Sequence, residues 1–225
     1  RALNNTISHD RKIAYDEMTG LYRGETSFLD WREQTYPNWV QNNVVHVGMS
    51  RSLSTNLLHL AAIEEAARLN QSAGESMLAA EQQLWGDSLR RAIQQEFQIE
   101  NEALYSAFLP TELDLAPSYR FDLLALSFAI TMNLSDEERS LQILEDYPHS
   151  EFGPPVIWPQ QPDSAIYHNR AIWPFVTAYW LRAAKKHRQA GVVAHNIRSL
   201  VNATALNLSN MENLEFMSGL PYFED

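Results

Sequence analysis

Helical periodicity broken by alternately short and long gaps is the feature that most restricts the folds open to this chain. Over residues 75–98, Met77, Ala80, Leu84, Trp85, Leu89, Ile93 and Phe97 recur every three or four positions, the stripe of an amphipathic helix. Over residues 54–69, Leu57, Leu58, Ala61, Ala62 and Glu65 run at the same spacing, with Leu60 and Ile63 beside them. Residues 120–132 are nearly all apolar and read as a helix buried on every side. Ser135-Asp136-Glu137-Glu138 is a capping-box pattern and opens a helix reaching about residue 146. A fifth helix spans residues 171–189, with Pro174 in its first turn, where a missing N–H costs nothing. Gly191 then separates it from a last helix over residues 192–208.

The gaps at 70–74, 133–134 and 190–191 are short and join antiparallel partners; those at 99–119 and 147–169 are long and join one pair to the next. The expected fold is therefore all-α: three helical hairpins forming part of an (α/α)6 toroid, as a single domain over residues 1–225. Residues 120–132 and 171–182 are apolar enough for an inner ring. Long loops without regular structure tend to be functional. The first holds a candidate β-hairpin around residues 104–108, and the second, with its run EFGPPVIWPQQP, reads as extended. No sequence repeat of 20–50 residues is visible, which argues against a regular solenoid. Half a toroid leaves apolar inner surface wet, so a homo-oligomer or a remaining part of the toroid is the expected partner.

Charge and chemistry remove several function classes. The chain has 17 Lys and Arg against 28 Asp and Glu, a net charge of −11, and no basic cluster; a nucleic-acid partner is not expected. No apolar run is long enough to span a membrane. With no cysteine there is neither a disulfide nor a thiolate nucleophile. That composition fits the bacterial periplasm or another extracytoplasmic site better than the cytoplasm. The seven histidines lack ligand spacing such as HExxH, and there is no phosphate loop or GxSxG, so no metal or cofactor is expected. The chain starts at Arg1 and stops at Asp225, which reads as a mature product or a piece of something longer.

Three constellations carry chemistry. TGLYRGETSFLDWREQTYPNW, from Thr19 to Trp39, crowds aromatics, amides and lone charges into a turn-rich stretch. Flat rings beside fixed hydrogen-bonding groups suit a sugar. Asp30, between Phe28 and Trp31, is a partly desolvated carboxyl suited to donate a proton, or else a helix cap or a partner for Arg32. The second is Tyr167-His168-Asn169-Arg170 ahead of Trp173-Pro174-Phe175, with Gln160 in the same loop. Here Asn169 reads equally as a helix cap. The third, Met211 to Gly219, places Glu212 and Glu215 in an apolar stretch, as a water-activating base or as a solvated loop.

TGLYRGETSFLDW, YHNRAIWPF and ENLEFMSG resemble segments of the six-hairpin glycosidases, the superfamily of GH63-type glucosidases, trehalases and glycogen-debranching glucosidases. The resemblance implies that Asp30, after Gly24 and Ser27-Phe28-Leu29, matches the general acid. Glu212-Asn213 with Gly219 matches the segment of the general base, although Leu214 stands where an aromatic is usual, and Glu215 is the alternate base. It implies an inverting, exo-acting hydrolase of α-linked glucosides or similar oligosaccharides. Trp31, Tyr36, Tyr167 and Trp173 would wall the sugar, and Arg32, Gln160, His168 and Asn169 would bond its hydroxyls. Those domains begin with more helices and continue past the base, so the resemblance implies a piece of the catalytic domain. Two rivals remain: a uronate lyase or sugar epimerase of the same toroid, using Tyr167 and His168, and a non-catalytic carbohydrate-binding helical scaffold.

Overall fold

The computed structural model describes residues 1–29, 44–100, 102–109, 119–161 and 167–221. Among these, helices dominate: α1 Ala2–Ala14, α2 Val44–Met49, α3 Leu53–Ser72, α4 Ser76–Glu96, α5 Leu123–Thr131, α6 Glu137–Asp146, α7 Pro174–Lys186 and α8 Ala190–Asn207. Helix α5 is buried around most of its circumference, from Leu123 to Ile130, because nearly every residue in it is apolar. It packs between α3 and α7, and these three form an inner row. The partners α4 and α8 pack on the outside of α3 and α7. Helix α6 follows α5 through a tight turn, and its Arg139 reaches back to the carbonyls of Glu102 and Ala103 and lies over the Tyr105 ring. This is a helical-hairpin architecture, as the periodicity implies.

Two-residue strands organise the ends of these hairpins. β3 Arg51–Ser52, β5 Phe121–Asp122 and β7 Ala171–Ile172 each run into or up to an inner helix. Each pairs antiparallel with a strand returning after the outer helix: β4 Phe108–Leu109, β6 Ile157–Trp158 and β8 Leu214–Glu215. The unit strand–inner helix–outer helix–strand thus occurs three times in the backbone without a visible repeat in sequence. Backbone bonds stitch neighbouring units together: Ala107 N–H to the Arg120 carbonyl at 2.6 Å and Val156 N–H to the Ala171 carbonyl at 2.9 Å. The inner helices therefore start on one shared rim. At the opposite end, Lys186 caps the C-terminal carbonyls of α5 at Ile130 and Thr131, and Arg90 caps those of Met132 and Asn133. Cations on a helix C-terminus satisfy orphan carbonyls and complement the helix dipole.

Several expectations are corrected. Residues 104–108 do not form a local hairpin; Tyr105 bridges to Gln98, while Phe108–Leu109 pairs with the distant Arg51–Ser52. The break before α8 falls at 187–189, where Arg188 adopts φ 56°, so Gly191 lies inside the helix. On α4 the buried side is Ala79, Gln82, Trp85, Gly86, Leu89 and Ile93, while Met77 and Leu84 face solvent. Its first turns instead present Gln82 to Asn70 and Asn4, an amide network joining α1, α3 and α4. The cap of α6 is Asp136, which accepts the Arg139 N–H at 2.8 Å. Helix α1 and the strand pair β1 Tyr15–Asp16 and β2 Leu21–Tyr22 had no forecast.

Candidate functional site

The rim where the inner helices begin gathers the described parts of the three sequence constellations. The main chain of Gly24–Ser27 is bound to the start of α3. Gly24 N–H donates to the Ser50 carbonyl at 2.9 Å and Ser50 Oγ donates to the Gly24 carbonyl at 2.9 Å. Ser52 Oγ donates to the Glu25 carbonyl at 3.2 Å, and Ser54 Oγ accepts the Ser27 N–H at 3.1 Å. The Thr26 hydroxyl donates to the Leu29 carbonyl and rounds off the turn. Leu29 is fully buried, which fixes the chain just before residue 30. Asp30, Trp31, Arg32 and Tyr36 lie outside the described residues.

Phe28 connects this first segment to the second. Its ring meets His168 at 4.9 Å, Trp173 at 5.1 Å and Phe175 at 4.8 Å, each edge to face. His168 stacks on Trp173 at 5.2 Å and 25°, and Tyr167 sits edge-on to both. Edge-to-face and offset-stacked rings satisfy the ring quadrupoles. The Trp173 indole donates to the Tyr167 carbonyl at 2.9 Å, so the cluster is held by a polar bond as well as by packing. Trp173 and His168 are buried, Tyr167 and Phe28 half-buried, and Phe175 is 45% exposed. The open surface of this cluster is thus offered by Phe175, Phe28 and Tyr167, with His168 and Trp173 beneath.

Asn169 is completely buried, and its amide works like a strand partner for Gln161. Its Oδ1 accepts the Gln161 N–H at 2.7 Å and its Nδ2 donates to the Gln161 carbonyl at 2.8 Å. Asn56 does the same for Tyr22 at the first segment. Both side chains satisfy a backbone N–H and carbonyl in the way a neighbouring strand would. Neighbouring Gln160 has its Nε2 buried with no acceptor among the described residues. Arg170 takes φ 57°, a strained conformation for a side chain with a Cβ and of the kind that concentrates at functional loops.

The third segment joins through β7–β8, which sets Ala171 opposite Glu215, and through Phe216 N–H to the Arg170 carbonyl at 2.9 Å. Glu215 is spoken for. Its Oε2 accepts the N–H groups of Ser218 at 2.7 Å and Met217 at 3.0 Å, and its Oε1 lies 3.4 Å from Arg170. Burial pushes its carboxyl up, but the bonds from Ser218 and Met217 together with the Arg170 charge outweigh that and hold it below the usual range. Glu212 is exposed. Beside it, Met211, Leu214, Pro174, Leu200 and Thr204 line a cavity of about 230 Å³.

Sequence reading gives Phe175 no role of its own and overlooks Asp122. Asp122 is 1% exposed and caps α5, with Oδ1 accepting the N–H groups of Leu124 at 2.9 Å and Ala125 at 3.2 Å. An aspartate directly before Leu-Leu-Ala-Leu is a readable cap signal. Burial lifts its carboxyl to about 6, against the opposing pull of the Ala125, Leu124 and Ser54 hydrogen bonds. Among the described residues no cluster of three His, Asp or Glu is arranged to hold a metal, and no helix is long and apolar enough to cross a membrane.

No protein-family model matches the chain, and no curated protein matches it. Solved structures do. A GH78 family rhamnosidase of Bacillus sp. GL1 is 17% identical, with a TM-score of 0.69 over 99% of this chain and 21% of its own. A sialidase is 13% identical, with a TM-score of 0.77 over 96% of this chain and 21% of its own. A GH63 mannosylglycerate hydrolase from Thermus thermophilus is 11% identical, with a TM-score of 0.61 over 78% of this chain and 42% of its own. The chain spans 21% to 42% of the length of these proteins. At such identities the likeness is one of fold: the chain has the architecture of part of a six-hairpin glycosidase toroid.

Proposed function

We propose that the chain is part of the (α/α)6 catalytic domain of a glycoside hydrolase, one that inverts the anomeric centre and acts from the chain end on α-linked glucosides or similar oligosaccharides. The observation that carries this reading is Phe28, whose ring touches His168, Trp173 and Phe175. It brings the segment leading to Asp30 onto the loop before α7, and β7–β8 adds the segment of Glu212. Three stretches far apart in sequence, each singled out for sugar chemistry, share one rim.

In this reading Asp30 gives its proton to the glycosidic oxygen as the bond from that oxygen to the anomeric carbon breaks. Glu212 takes a proton from a water, whose oxygen bonds to the opposite face of that carbon. Glu215 is the poorer base, because its lone pairs already serve Ser218, Met217 and Arg170. Trp31, Tyr36 and Tyr167 contribute the apolar walls, with Phe28 and Phe175 added from the geometry and the buried Trp173 backing them. Arg32 and Gln160 bond hydroxyls; the buried Gln160 Nε2 has no acceptor among the described residues. His168 and Asn169 are buried and support the surface from below. Apolar walls with a few fixed polar groups orient a substrate, and orientation supplies several kcal/mol of barrier reduction.

Part of the pocket is proposed to come from further helices or from a second copy, packed on the exposed Phe175, Ile197 and Val201. The test is proton NMR of the first sugar released from an oligosaccharide. A product of inverted anomeric configuration is expected. An unsaturated product absorbing in the ultraviolet would establish the lyase instead, and binding without turnover a scaffold.

A further inference from the structure

His149 has two partners that between them leave its ring one protonation state. Its Nδ1 lies 2.7 Å from the Tyr147 carbonyl, which can only accept, so Nδ1 carries the ring proton. Its Nε2 lies 3.2 Å from the indole Nε1 of Trp180, which can only donate, so Nε2 offers a lone pair. A second proton, on Nε2, would set two N–H groups against each other. Trp180 is fully buried in α7, so its displaced indole N–H would be left without a partner. From α8, His195 meets the His149 ring edge-on at 5.6 Å and gives its Nε2 proton to the Ser150 carbonyl at 3.0 Å. The two rings tie residues 147–150 to α7 and α8.

Beyond them the chain closes a tight turn, with Ser150 and Gly153 exchanging backbone bonds at 2.9 and 3.3 Å. That turn delivers Phe152 to the small apolar cluster of Ile172, Ala203, Leu214 and Phe216. Phe152 also lies so close to Gly219 that a methyl group there would overlap its ring. Leu214, Phe216 and Gly219 belong to the segment that carries Glu212 and Glu215. We infer that His149 is an acid-sensitive latch: neutral, it fastens residues 147–153 to Trp180 and so packs Phe152 against β8; doubly protonated, it releases Trp180 and that packing loosens. The latch acts on residues 211–219 whether or not they are catalytic.

The surroundings favour the neutral ring. From α7 His149 faces Trp180, which does not titrate, and from α8 it faces His195. On its own stretch it adjoins Tyr147, whose hydroxyl donates to the Pro155 carbonyl at 2.8 Å and is kept protonated by burial. Glu145, Asp146, Glu151 and Arg198 are exposed. Burial lowers the His149 imidazole from its ordinary 6.5 and His195 adds to this, against the Tyr147 carbonyl, which favours the charged ring. A histidine depressed in this way stabilises fully above its unfolded value and loses that contribution as pH falls through the folded one.

The experiment measures amide-exchange protection factors at pH 7 and pH 5 for the full chain and for His149→Gln, whose amide oxygen can accept the indole N–H but takes up no proton. At pH 5 an open state with an ordinary imidazole gains up to about thirtyfold over a closed one that stays neutral. Protection of the Glu215 and Phe216 amides, bonded to the Leu220 and Arg170 carbonyls, should therefore fall about tenfold in the wild type and hold in His149→Gln. Nitrogen NMR of the wild type at pH 7 should show His149 protonated on Nδ1 and bare on Nε2. Unchanged wild-type protection, an equal fall in His149→Gln, or a proton on Nε2 at pH 7 would each overturn the inference. Should His149→Gln fail to fold, the wild-type Trp180 indole N–H resonance decides: it shifts between pH 7 and pH 5 if the latch exists, and its standing still would overturn the inference.

Discussion

Replacing Asp16 by asparagine should destabilise the protein in a way that depends on pH. Asp16 ends β1 and its side chain is 7% exposed. Its Oδ2 receives Arg51 Nη2 at 2.7 Å, Arg23 Nη2 at 3.0 Å and the Thr19 hydroxyl at 3.0 Å, and its Oδ1 receives the Met18 N–H at 3.1 Å. Burial pushes its carboxyl up, but these bonds outweigh it and hold the group at about 2 against an ordinary 3.8. At about 1.4 kcal/mol for each tenfold change in proton affinity, the carboxylate contributes about 2.5 kcal/mol at neutral pH. A depressed carboxyl stabilises above its unfolded pKa and loses that contribution as pH falls through the folded one. Urea unfolding of Asp16→Asn should therefore show a loss of about 2 kcal/mol at pH 7, shrinking to roughly half near pH 3. Arg51 is 12% exposed and Arg23 38%, so solvent screens the second partner more. Arg23→Gln should then cost less than about 1 kcal/mol and Arg51→Gln clearly more. A gap between Asp16→Asn and wild type that is the same at both pH values, or absent at pH 7, refutes the reasoning.

Asn169→Ala removes both bonds to the part-buried Gln161 main chain, so unfolding should be easier by about 1–3 kcal/mol and KM for any glycoside should rise. Gly219→Ala puts a methyl group into the Phe152 ring at a φ of 68°, and should cost about 2–4 kcal/mol by chemical denaturation. Light scattering at high concentration should find the isolated chain as a dimer or larger species, because Phe175, Ile197 and Val201 are each at least 45% exposed; a well-behaved monomer would contradict the proposed assembly.

The helices were legible in the sequence because their signal is long. Twelve or more residues of repeated spacing outweigh local noise, and α3, α4, α7 and α8 lie within a few residues of their expected limits. Helix α1 gave no such signal: Ile7 is its one buried residue, and the asparagines Asn4 and Asn70 do the docking. The two-residue strands were illegible for a different reason. Two residues carry no period, and Arg51–Ser52 becomes a strand only because Phe108–Leu109 returns beside it. The nearly apolar run over residues 120–132 was read correctly as buried, yet that same reading passed over Asp122. At the candidate site the residue types were legible and their roles were not. Asn169 advertised hydrogen bonding, but only the structure shows both its polar atoms spent on Gln161. Glu212 and Glu215 look alike in sequence; the turn at 217–218 separates them by occupying one and leaving the other exposed.

The most direct test of the central claim is the leaving-group dependence of Asp30→Asn and Glu212→Gln, measured side by side. Asp30→Asn should lower turnover of a glycoside with a poor leaving group by about 10²–10⁴-fold and spare an activated aryl glycoside, which leaves without a proton. Glu212→Gln should depress both substrates alike, since both need the activated water, while Glu215→Gln should lose stability before activity. Full turnover of the poor-leaving-group substrate by Asp30→Asn would contradict the account. A dead Glu215→Gln beside an active Glu212→Gln would move the base to Glu215 and leave the mechanism in place.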